Sequence, residues 1–235
     1  MNLKKKMVIV ACYCLLTSST TITTKNSTQA VESKIETGIT QSQDLGKIEF
    51  NSKELYKLYK GVTNEDRIIE ALELMKNTSG SFSRRAIIGN NLIDKEIKIE
   101  FKDLSTINPK YANFEALGWK RGSKLYIYVN RKHSDAPASA LAALLSHEAL
   151  HQDELNSLNE ETYAWTMEAT VWTQLVEQNP NIADSNHPLV RRENMLKNLL
   201  EKGNYTNKYI KKAVFSNPGY QNLPTRSPGF EDENL

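Results

Sequence analysis

Residues 138–151, ASALAALLSHEALH, constrain the fold of this chain more than any other segment. The run is apolar on nearly every face of a helix, so it must lie inside the protein with other elements packed around it. Yet it carries His147, Glu148 and His151. Residues i and i+4 share a helix face, so both imidazoles can point at one spot. Glu148, turned by about 100° from His147, points beside that spot. Polar groups in an apolar helix need partners. Two kinds are open: carboxylates that hydrogen-bond a pair of core histidines, or a metal ion held by both rings with Glu148 next to it.

The metal reading has a definite chemistry. An ion such as Zn²⁺ lowers the pKa of bound water to about 7 and polarises a carbonyl oxygen, and a carboxylate beside it accepts the proton. The only cysteines, Cys12 and Cys14, lie in the first segment, so a metal site elsewhere must use His and carboxylates. The extended pattern HExxHxxGxxH is excluded, because Glu154 and Ser157 stand where its Gly and third His would be. The first helix is expected to end near Asp153 or Glu154 and the chain to turn through Asn156 to Asn159. The next helix is expected from about Glu160 to Glu177, with Asn159 as its cap. At about 100° per residue, Glu161 falls in the middle of the apolar face formed by Ala164, Trp165, Trp172 and Leu175. Glu168 falls beside it and Glu160 at the edge. Glu161 is therefore the candidate third ligand. Glu168 is the alternative ligand, or else a carboxylate supporting one. The competing reading is that Glu161 pairs with a buried Arg or caps its helix. Between His133 and Val190 the chain has nine acids and no Lys or Arg, a field that attracts a divalent cation.

ALLSHEALH, preceded by KLYIYV and followed by NEETYAW, resembles the zincin metallopeptidases in their gluzincin arrangement. The resemblance covers about residues 96–178. It implies zinc held by His147, His151 and Glu161, the last as the first residue of an ExxA pattern ending at Ala164. It also implies Glu148 as general base, and a strand, Leu125 to Val129, along a cleft for a peptide or protein substrate. Only nine residues separate His151 from Glu161, a tight helix hairpin for this group. Such peptidases often add a Tyr or His that stabilises the oxyanion; Tyr126, Tyr128, Tyr163 and His187 are available, although Tyr163 points away from the apolar face. Two other readings stand beside the enzyme. One is a catalytically silent zincin-like binding protein, secreted or in the cell envelope. The other is a helical structural protein with a chance HExxH. An intact Glu148 favours the enzyme, since a binding module needs no base there.

The rest of the chain bounds the setting. Of its 235 residues, 30 are Lys or Arg and 28 are Asp or Glu, a balance that argues against a dedicated nucleic-acid binder. The start reads as an export signal: MNLKKK is basic, MVIVACYCLL is apolar, and STQA offers cleavage after Ala30. Lipidation at Cys12 is the alternative to cleavage, and a buried N-terminal strand is the alternative to export. The apolar run is too short for a transmembrane span, which needs about 20 residues. A signal peptide over 1–30, a linker over 31–47, a domain over 48–217 and an extended tail over 218–235 are expected. Within the domain, SKELYKLY and NEDRIIEALELMKN read as helices, with Asn64 as a cap. EIKIEFKDL and KLYIYV read as strands, with an irregular stretch containing Gly118 between them. PLVRRENMLKNLLEKG reads as a helix from Pro188 to Gly203. Helices, then strands, then helices suggest an α+β fold, with a short mixed sheet packed on the HExxH helix.

Overall fold

The structure is a computed structural model that describes residues 52–89, 96–121, 124–151 and 156–227. The expected signal peptide and linker lie outside the described residues. Among those residues the fold is α+β, with seven α-helices and one three-stranded sheet. None of these helices is long and apolar enough to cross a membrane.

Helices α1 (Ser52–Leu58), α2 (Asp66–Leu74) and α3 (Ser81–Ile87) come first. The α2 cap is Glu65 rather than Asn64, and its side chain makes no capping bond. Strand β1 (Ile97–Lys102) follows, its alternation putting Ile97 and Ile99 in the core. The stretch expected to be irregular contains a strand, β2 (Ala116–Arg121), which leads into β3 (Lys124–Asn130). The sheet order is β1-β3-β2; β1 is parallel to β3 and β2 antiparallel, so the sheet is mixed. Ile127 and Val129 of β3 are buried with Ile97 and Ile99, in the same cluster as Leu72 of α2 and Leu141 and Leu145 further on.

Those leucines belong to α4 (Ala138–Glu148), of which every residue is buried. Helix α4 packs on α2 and on α5 (Leu158–Gln178). Helix α5 is held on its other side by α6 (Pro188–Lys202) and α7 (Lys208–Phe215). Trp172 closes the main core. Trp165 closes a smaller one with Leu196, Leu200, Ile210 and Val214. Two clusters on two sides explain why α5 is buried over so much of its circumference. The α5 cap is Ser157, not Asn159: its side chain accepts a hydrogen bond from the Glu160 amide at 3.2 Å. Helix α6 begins at Pro188 and stops before Gly203 as expected, and His187 is its cap, with Nδ1 accepting from the Leu189 amide at 3.1 Å.

Candidate metal centre

Regular α4 ends at Glu148, earlier than the expected stop near Asp153 or Glu154. The chain keeps its curl through tighter bonds, with the Leu150 amide donating to His147 O at 2.9 Å and the His151 amide to Glu148 O at 3.2 Å. His151 thus sits just past the helix yet stays on the face of His147. Their Nε2 atoms are 3.0 Å apart. What lets the chain curl here is Gly118 on β2. A Cβ at that position would lie 2.9 Å from both the Cβ and the carbonyl oxygen of His151. Strand β2 therefore rests directly against the turn that carries the second histidine.

Helix α5 crosses opposite this pair and presents three buried carboxylates in its first three turns. Glu161 reaches both rings, with Oε2 3.8 Å from His147 Nε2 and Oε1 3.6 Å from His151 Nε2. Asn156 Nδ2 donates to Glu161 Oε1 at 2.5 Å. Glu160 lies behind His151 and accepts from Nδ1 at 2.9 Å; Glu168 does the same for His147 Nδ1, also at 2.9 Å. Glu168 thus contacts the ring nitrogen remote from Glu161. Its charge is balanced from α6, where Arg192 makes a two-pronged ion pair with it and lies over the Trp165 ring. Burial opposes ionisation of Glu168, but Arg192 and His147 outweigh it and hold the carboxyl well below the usual range. Glu148 is also buried, with Oε1 4.0 Å from His147 Nε2. Burial raises its pKa against the pull of His147 and His151.

The donor set can be tested for an ion. Each Nδ1 hydrogen-bonds a carboxylate, which accepts only, so the proton of each neutral ring belongs on Nδ1. Both Nε2 lone pairs then face each other. Glu161 Oε2 is buried with no hydrogen-bond partner. Core histidines paired with carboxylates account for the Nδ1 contacts; beyond these, the two Nε2 atoms meet each other at 3.0 Å and Glu161 Oε2 has no hydrogen-bond partner. A cation satisfies all three. Without a metal, a proton serves: burial disfavours charge on His151, but Glu160, Glu161 and Glu148 outweigh it and raise its pKa to about 9. Ligands of one tetrahedral zinc ion, about 2.0–2.2 Å from each, stand roughly 3.3–3.5 Å apart. The two Nε2 atoms are 3.0 Å apart, and Glu161 turns a different oxygen to each ring, Oε2 to His147 at 3.8 Å and Oε1 to His151 at 3.6 Å. His147, His151 and Glu161 therefore form a group that could hold a metal ion, their ligand atoms all within 4.8 Å of one another.

The four oxyanion candidates are placed elsewhere. Tyr126 and Tyr128 stack at 5.4 Å on the sheet face opposite Ile127 and Val129. Tyr163 is exposed. His187 caps α6 and meets Asp135 at 3.3 Å. Strand β3 is also the middle strand, paired on both sides, so Leu125 to Val129 cannot offer a free edge to a substrate; among the described residues β1 and β2 are the edge strands, and β2 is the one that lies against His151. Sequence reasoning missed Arg192, and it took Glu160 for a rim residue. It also missed Tyr220, whose hydroxyl accepts from Trp165 Nε1 at 3.2 Å and is raised in pKa by burial and by the nearby Glu161. No periodicity points to these residues, since each is brought in by packing between segments far apart in the chain. Compared with family models, with curated proteins and with solved structures, the chain matches none.

Proposed function

We propose that this protein is an exported zinc-dependent metallopeptidase. The observation that carries the reading is the convergence of His147 Nε2, His151 Nε2 and the orphaned Glu161 oxygen, with the buried Glu148 carboxylate beside them. His147, His151 and Glu161 would hold the ion. When bound, zinc supplies Lewis acidity and a water acidified to about pKa 7. Glu148 accepts the proton of the attacking water and later returns it to the leaving amine. Glu168 and Glu160 fix both rings in the Nδ1–H tautomer, which keeps Nε2 free for the ion. Arg192 keeps Glu168 ionised for that task. The place of β2 at one edge of the sheet, with Gly118 against His151, supports an extended peptide laid beside the site. The reading of residues 1–30 as a signal supports export.

Elemental analysis of the purified chain tests the core of this proposal. One zinc per chain is expected, with His151→Ala and Glu161→Ala both losing it. Hydrolysis of an unstructured protein substrate should follow the zinc content. A folded wild-type chain that stays metal-free in excess zinc refutes the reading.

A further inference from the structure

The segment after α7 was expected to be an extended tail. Instead Pro218–Tyr220 form a single 3-10 turn, and the residues after it, through Ser227, turn back to the start of α5. The carbonyls of Pro224 and Thr225 accept from the Leu158 and Asn159 amides at 2.9 and 3.1 Å. These are amides that the first turn of a helix leaves without an internal partner. One end of the segment is pinned by Tyr220, whose ring meets Trp165 edge-on with centroids 6.1 Å apart. The other end is pinned by Ser227, which is buried. Its hydroxyl donates to Glu160 Oε2 at 3.1 Å and lies 3.2 Å from the Ser157 hydroxyl.

Glu160 uses its other oxygen to accept from His151 Nδ1. Ser227, Glu160 and His151 therefore form one continuous line of hydrogen bonds that ends on a ring of the metal group. Glu160 is buried, and a buried carboxylate needs donors on both oxygens. Without the Ser227 hydroxyl, Oε2 loses its donor. The carboxylate then rotates in search of another, and the other oxygen is drawn off His151. The ring loses the contact that fixes its tautomer and direction.

We propose that the C-terminal segment is a working part of the metal centre, with Ser227 a positioning residue that acts through Glu160 on His151 and thereby sets metal affinity. This rests on the metal-centre reading above. It extends that reading to a stretch of chain 70 residues from the Ser157 cap it touches, and makes the metal site depend on how that stretch packs. A merely structural strap would behave differently. Its loss would lower the stability of the metal-free protein and leave the zinc affinity of folded molecules unchanged.

The test uses the full chain as wild type, Ser227→Ala, Ser227→Thr, Glu160→Gln and the Glu160→Gln/Ser227→Ala double variant. Zinc affinity is measured by competition with a chromogenic chelator, the cobalt-substituted spectrum is recorded, and metal-free thermal unfolding is followed in parallel. Partners that orient metal ligands typically change affinity by about 10–100-fold. Ser227 stands one step further out, so Ser227→Ala should weaken zinc binding by roughly tenfold, the lower end of that range, and alter the cobalt spectrum. Ser227→Thr should restore both. In the Glu160→Gln background the Ser227→Ala change should have little further effect, as expected of residues acting in series. If Ser227→Ala does not fold, Ser227→Cys, with a weaker donor of similar shape, makes the same comparison. Wild-type zinc affinity in Ser227→Ala, or a full additional loss in the double variant, overturns the inference while leaving the zinc site standing. A wild-type chain that takes up no zinc overturns the metal-centre reading, and this inference falls with it.

Discussion

Gly118→Ala tests the contact between β2 and the metal group. The added Cβ would sit 2.9 Å from the His151 Cβ and carbonyl oxygen and 3.3 Å from Glu148 O, where ordinary contact begins at 3.4 Å. Relief therefore requires a shift of about 0.5 Å, and two of the three neighbours are backbone atoms that no rotamer change can move. Either β2 withdraws from the turn or His151 is pushed along with it. Overpacking of this kind costs about 1–3 kcal/mol. A displacement of about 0.5 Å is also the limit that a preorganised site tolerates. Since about 1 Å of misplacement can cost a hundredfold, half of it suggests roughly a tenfold loss of zinc affinity. Gly118 is not among the residues with positive φ, so its backbone accepts alanine without strain. In open space, the reduced freedom of the unfolded chain would make Gly→Ala stabilising by about 0.4–1 kcal/mol. The sign of the change is thus diagnostic. Urea unfolding of the metal-free protein and a chelator competition for zinc measure both effects. A variant as stable as wild type with unchanged zinc affinity refutes the close packing of β2 on His151.

Glu148→Gln should cut peptide hydrolysis by about a hundredfold or more while zinc content stays at the wild-type level; normal turnover in steady-state assays would place the base elsewhere. Arg192→Met removes the cation paired with a fully buried Glu168 and should destabilise the chain by about 3–5 kcal/mol in denaturant unfolding, with Glu168→Gln in the same background recovering part of the loss. The third concerns pH. Burial opposes ionisation of Glu115, but His133 and Lys132 outweigh it and lower its pKa to about 2. A depressed carboxyl contributes stability that is present above its unfolded pKa of 4.5 and disappears as pH falls through about 2. The gap in stability between wild type and Glu115→Gln, at most about 3 kcal/mol after allowing for solvent screening, should therefore close between pH 4.5 and 2, and a gap that persists in acid-unfolding curves at pH 2 would contradict it.

What could be read from the sequence follows from local periodicity. An apolar helix fixes its own burial, and i, i+4 spacing fixes that His147 and His151 share a face, whatever the rest of the chain does. The angular position of Glu161 at the centre of its helix face is likewise a property of the helix alone. It is the carboxylate that the structure puts opposite the two Nε2 atoms. Alternation marked β1 and β3, because each has one face in the core.

Tertiary packing decided the rest. Strand β2, ALGWKR, has no alternation to detect, and its Gly118 is a response to how closely the turn at His151 approaches. The end of α4 at Glu148 carries no stop signal in the sequence, and the turn that follows lies against β2 at Gly118. Glu160, read as a rim residue, is buried because His151 comes from one side and Ser227 from the other. Glu168 stands on the far nitrogen of His147 because Arg192 of α6 is there to carry the opposite charge. A helix wheel tells which residues point inward, but it holds no information about what meets them. That is settled only when segments such as those carrying His147 and Glu168, 21 residues apart, or Glu160 and Ser227, 67 apart, are brought within hydrogen-bonding distance, where the cost of leaving a buried charge unpaired selects one arrangement.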